Sequence, residues 1–136
     1  MSTPFRSNVE VLREAFDDWN AGDLEALMAY FHPQIRWETS GIFPDLDPVY
    51  EGRAGVRRFW GDFMRPWKQI TVEPLDITEP YLDRLIAHVR FRGTGKDGSK
   101  FEAEVWQLFI LRQSALVYFR AFLEREQAEA AAQGHP

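Results

Sequence analysis

Apolar residues recur at steps of three and four through the first part of the chain and then change to alternation, which marks helices giving way to strands. Val9, Leu12, Phe16 and Trp19 form the first stripe, preceded by Ser7 with Glu10 three residues on. That spacing is a capping box, and it predicts an amphipathic helix ending near Gly22. Asp23 can cap a second, shorter helix carrying Leu24, Leu27, Met28 and Phe31 on one face. Pro33, lacking an N–H, should stop it at about His32. From Gln34 to Thr39 the period is two: Ile35, Trp37 and Thr39 take one face, Arg36 and Glu38 the other, as in a strand.

The stretch SGIFPDLDPVYEGR reads as a loop with a short strand around Val49 and Tyr50. Val56, Phe59, Trp60, Phe63, Met64 and Trp67 fall on one face of a third helix, which Pro66 closes. Four extended segments follow: Ile70 to Ile77 with an irregularity at Pro74, Leu82 to Arg92, Phe101 to Leu111, and Leu116 to Leu123. Asp97-Gly98 supplies one hairpin turn, and Arg112 to Ala115 makes another without glycine. The ending EREQAEAAAQGHP reads as a polar helical tail that frays. Helices first and a meander afterwards define an α+β fold, one curved antiparallel or mixed sheet covered by three N-terminal helices. The 136 residues suit a single domain, with a core over about residues 7–123 and the tail over 124–136.

Composition narrows the partners. Five Trp, eleven Phe and four Tyr exceed what a small core needs, so some should line a pocket for a small apolar or aromatic molecule. The net charge of −5 opposes nucleic acid and anionic membranes, although HVRFRGTGK alternates basic and aromatic residues. The absence of Cys fits a reducing cytoplasm. No apolar run has the length of a membrane span, and the first twenty residues lack the apolar core of a signal peptide. His32, His88 and His135 are isolated, so no metal site is expected. The sequence GTGKDG lies between strands instead of opening a helix, so no phosphate loop, and no cofactor, is expected.

The order of elements, together with WNAGD (Trp19 to Asp23), FHPQIRW (Phe31 to Trp37), YEGRAGVRRF (Tyr50 to Phe59) and a last strand running into FLEREQAEA, resembles the SnoaL-like branch of the nuclear transport factor 2-like superfamily. The resemblance implies a cone, or cystatin-like roll, with its cavity between helices and sheet, and a dimer through the outer sheet face. It also implies that known chemistries of the superfamily are incomplete here. The ketosteroid isomerase base falls at Thr39, its tyrosine at Ala15 and its partnering acid near Trp106 or Gln107. The limonene epoxide hydrolase residues fall at Trp37, Thr39 and Ala121, with His88 and Arg90 near its Arg-Asp pair, and the dehydratase Tyr-Asp falls at Trp19-Asn20.

Two readings follow. In the first, His88 and Arg90 face the cavity of a cofactor-independent isomerase, cyclase or lyase, His88 moving a proton and Arg90 stabilising charge. In the second, the protein is a non-catalytic binding or scaffolding module. In both, Trp19, Asn20, Trp37, Thr39, Trp60, Phe63, Trp67, Gln107, Phe109 and Phe119 are the expected ligand contacts. If Ala103, Val105, Gln107 and Phe109 point inward, then Trp106, Leu108, Ile110, Leu116, Tyr118 and Phe122 point outward. That apolar face predicts a homodimer, since a tail of Glu, Gln and Ala is too polar and small to cover it.

Overall fold

Ser7 accepts a hydrogen bond from the Glu10 N–H through its hydroxyl and starts α1 (Asn8–Ala21), and Gly22, at φ 73°, ends it in the left-handed conformation. The computed structural model describes residues 6–43 and 45–134, so Met1 to Phe5, Pro44, His135 and Pro136 lie outside the described residues. Asp23 caps α2 (Leu24–Met28), as expected. That helix stops well short of His32, because Phe31 already belongs to β1 (Phe31–Glu38) and pairs with Leu116. Pro33 is accommodated inside this strand. The register slips between Phe31 and Arg36, and pairing with the other neighbour starts only at Arg36, so the missing N–H breaks no regular ladder.

β2 (Val49–Glu51) forms where the loop was expected to hold a short strand, and α3 (Gly52–Met64) buries Val56, Phe59 and Phe63. Trp67 does not extend α3. It opens β3 (Trp67–Tyr81) and packs on Phe101, with ring centroids 5.1 Å apart. β4 (Arg84–Gly95), β5 (Lys100–Arg112) and β6 (Ala115–Phe122) complete the expected meander, with an irregularity at Pro74. Gly98 takes φ 86° in the first connection, while Gln113 and Ser114, at φ 52° and 66°, form the turn without glycine. Such a turn twists with the strands it joins.

The six strands lie in the order β2-β1-β6-β5-β4-β3, parallel between β1 and β6 and antiparallel elsewhere. On the inner face, Leu85, Ala87, Val89 and Phe91 of β4 and Val105, Phe109 and Leu111 of β5 join α1, α2 and α3 in the main core. Leu116 belongs to this inner set and not to the outer one. Ile110 pairs with Tyr118 but Leu111 with Leu116, which leaves Val117 without a partner and inverts the facing of Leu116.

The polar tail does more than fray. Residues Arg125–Gln133 form α4, whose Ala128 and Ala132 are 0% exposed against Ile86, Leu108, Tyr118 and Phe122 on the outer face. Small size is what permits this, since alanine lets the helix backbone approach the sheet closely. Arg84 holds the far end, donating to the Ala132 carbonyl at 2.6 Å and to the Gly134 carbonyl.

Candidate functional site

The cavity lies where α1 and α3 cross the inner face of the sheet. Trp19 comes from the last turn of α1, Phe59 and Phe63 from α3, and Trp37, Phe119 and Phe109 from adjacent strands β1, β6 and β5. Trp37 stacks on Phe119 at 3.9 Å, Phe119 meets Phe109 at 5.2 Å, and Trp19 lies parallel to Trp37 at 6.3 Å. Phe43, from the loop after β1, contacts Phe63 and Phe91, each at 6.0 Å. Its volume is about 60 Å³. A ring the size of benzene fills a cavity of roughly 150 Å³, so a ring ligand must displace a lining side chain.

Four side chains with a polar atom line this space: Trp19, Trp37, Thr39 and Gln107. The Thr39 hydroxyl donates to the Asp47 carbonyl at 2.7 Å and fixes the base of the loop. Tyr50 strengthens the same closure, accepting from the Asp47 N–H at 3.1 Å and donating to Asp62 on α3 at 2.9 Å. Burial first, then the Asp62 carboxylate, pushes the Tyr50 phenol above its ordinary value, so it stays a neutral donor at physiological pH. Among the described residues, Trp37 Nε1 and Gln107 Oε1 are buried without a hydrogen-bond partner. Gln107 pairs in register with Ala121 on one side and Ala87 on the other, so its amide rises between two methyl groups. None of the described residues lining the cavity is ionisable.

Of the expected contacts, Trp19, Trp37, Thr39, Phe63, Gln107, Phe109 and Phe119 meet here. Asn20 does not. Its side-chain amide exchanges hydrogen bonds with the Val72 backbone, at 2.8 and 2.9 Å, and pins α1 to β3. Trp60 packs on the outer side of Trp19 at 4.5 Å, and Trp67 sits with Phe101. The expectation that His88 and Arg90 face the cavity is corrected. His88 is in register with Trp106 and stacks on it at 4.5 Å, with Nε2 2.7 Å from Glu104. Arg90 lies 3.7 Å from both Glu73 and Glu102. The reason is the apolar set Leu85, Ala87, Val89 and Phe91, which claims the inner face and turns the other parity outward.

The sequence reading missed Phe31 and Phe91, both visible in alternation, and Phe43, which has no periodic signal because it lies in a loop. The positions aligned with ketosteroid isomerase and epoxide hydrolase chemistry, Ala15, Thr39, Trp37 and Ala121, do line the cavity. Among the described residues no group of His, Asp and Glu could hold a metal, and no helix is long and apolar enough to cross a membrane.

An α+β roll with an aromatic cavity between helices and a mixed sheet has the nuclear transport factor 2-like fold. The chain belongs to the SnoaL-like domain family, which it matches over residues 12–119. No functionally curated protein matches the sequence significantly. Among solved structures, a nuclear transport factor 2-like protein of unknown function from Burkholderia pseudomallei is similar with a TM-score of 0.79 at 17% identity, covering 96% of this chain and 100% of that one. TerC, co-crystallised with polyporic acid, is similar with a TM-score of 0.78 at 16% identity, covering 93% and 98%. SalBIII, an epoxide hydrolase/cyclase-like enzyme in pyran ring formation in polyether salinomycin, gives 0.72 at 19% identity, covering 88% and 92%. At these identities the likeness is one of fold.

Proposed function

We propose that the protein binds a small, mostly apolar ring molecule in the aromatic cavity and holds one polar group of it between Trp37 and Gln107. The observation that carries this reading is the pair of buried, unpartnered groups, Trp37 Nε1 and Gln107 Oε1, within an otherwise apolar lining. A buried polar atom without a partner costs about 1–3 kcal/mol, a cost that a ligand offering the complementary donor and acceptor removes. A hydroxyl offers both. The co-crystallisation of TerC with polyporic acid supports a small-molecule ligand in this fold. Proton transfer by His88 and Arg90 is not the favoured reading, because both side chains lie on the opposite face of the sheet from the ring-binding space.

The same reading keeps the homodimer as a proposal, moved to the part of the outer face beside α4. Trp106 and Ile110 stay only half-buried there, with the His88 ring stacked on Trp106, which supports a second copy packing on this flat strip.

Calorimetric titration with phenol and with toluene tests the ring-binding reading. Phenol should bind about 3–10-fold more tightly, the worth of one or two net hydrogen bonds, and Gln107→Leu should erase most of that preference while toluene still binds. Equal affinities in the unaltered protein would overturn it.

A further inference from the structure

A second concavity, of about 600 Å³, lies between α4, the end of β6, and Ser40 and Ile42 just after β1. It is somewhat more open than the aromatic cavity, and Ala121 lines both. Sheet topology explains the junction. β1 and β6 last pair at Glu38 and Arg120, after which Ser40 and Gly41, at φ 59° and 68°, turn the chain away. β6 runs on to Phe122 with only β5 beside it. The β1–β6 ladder is therefore notched next to Ala121, whose small methyl lines both spaces.

Arg120 stands at the outer side of this notch. Its Nε donates to the Ser40 hydroxyl at 3.1 Å, and its guanidinium lies over the Phe122 ring at 4.8 Å, so its plane is braced on two sides. Glu38 is 3.8 Å from Nε, beyond hydrogen-bond distance, and is already engaged by Arg36 and by the Tyr118 hydroxyl, each at 2.7 Å. Burial pushes the Glu38 carboxyl up, but those hydrogen bonds and the charges of Arg36 and Arg120 outweigh it and hold it below its ordinary value. Among the described residues, no hydrogen bond uses either Nη of Arg120. A planar fork fixed through Nε matches the two oxygens of a carboxylate.

We propose that the cavity and this chamber form one extended site for a ring-bearing monocarboxylate. The ring enters the aromatic cavity, a short chain passes the notch beside Ala121, and the carboxylate is held by the Arg120 fork with Gln127 at the α4 side. This rests on the reading of the aromatic cavity as the ring site and adds the anionic end. No cationic side chain lines the inner cavity, so the charge has to remain outside, where helix and sheet shelter it only in part.

Calorimetry on the full chain with hydrocinnamate and with hydrocinnamyl alcohol, which share ring and chain length, tests it. The carboxylate should bind about tenfold more tightly than the alcohol, as a charge-assisted pair would give. Arg120→Gln should abolish that difference and leave the alcohol within about twofold of its original affinity. Arg120→Lys, which keeps the charge but not the fork, should retain about a threefold preference. Equal binding of the two probes by the unaltered protein would overturn the extended site while leaving the ring site standing. A carboxylate preference that survives in Arg120→Gln would do the same. Failure of both probes to bind would overturn both readings.

Discussion

Gln107 is the residue on which binding and stability pull in opposite directions. Its amide is buried between Ala87 and Ala121, and its Oε1 has no partner. In the ligand-free protein that arrangement costs free energy without return, so an apolar residue of similar size should stabilise the fold. Gln107→Leu is therefore expected to raise stability by about 1 kcal/mol, roughly 3–5 °C in Tm for a chain of this size. The same change should reduce binding of hydroxylated rings, a trade typical of groups retained for function. Scanning calorimetry of the two proteins without ligand decides the matter: a lower Tm for the variant would mean that Gln107 has a structural partner and is not held in reserve for a ligand. Trp37 offers a weaker version of the same test, since its ring also stacks on Phe119 at 3.9 Å and any replacement loses that packing.

At the scale of elements, α4 shows how a helix of low hydropathy becomes structural. Its contact face is alanine, and its last carbonyls, which no further turn can pair, receive the Arg84 guanidinium. Arg84→Ala should cost about 1–2 kcal/mol and raise amide hydrogen exchange in residues 125–133 far more than in β4 or β5. Uniform exchange through the whole chain would show that α4 unfolds only with the sheet. This docking was not legible in the sequence, because alanine is read as a small, weakly apolar residue until the opposing surface is known. The hairpins, the inward set of β5 and the caps of α1 and α2 were legible, each from local chemistry that tertiary contacts did not override. His88 is the instructive failure. Leu85, Ala87, Val89 and Phe91 alternate strictly with Ile86, His88, Arg90 and Arg92, and this pattern alone turns both candidate catalysts outward. The expectation derived from family cavity positions ran against it, and the local pattern was right. Leu116 failed for another reason, since the unopposed Val117 is a bulge that no residue type announces.

For the molecule as a whole, the open question posed by its surface is what meets the outer sheet face beside α4. Leu108 is fully buried by α4 and its neighbours, but Trp106 and Ile110 are only half-buried, and they adjoin a strip formed by His88, Arg90, Glu73, Glu102 and Glu104. Charges of both signs in one strip are what a two-fold contact requires, because each patch must complement a copy of itself. The stacked His88 and Trp106 pair presents a flat, partly apolar centre. Light scattering at micromolar concentration should then give about twice the 15.9 kDa chain mass. Trp106→Asp should reduce it to the monomer value, by placing a carboxylate among Glu102 and Glu104 and removing the flat centre. Ring binding should survive that change, because the cavity lies on the opposite face of the sheet and Trp106 contributes nothing to its lining. A monomer mass for the unaltered protein would show that α4 covers enough of the outer face by itself.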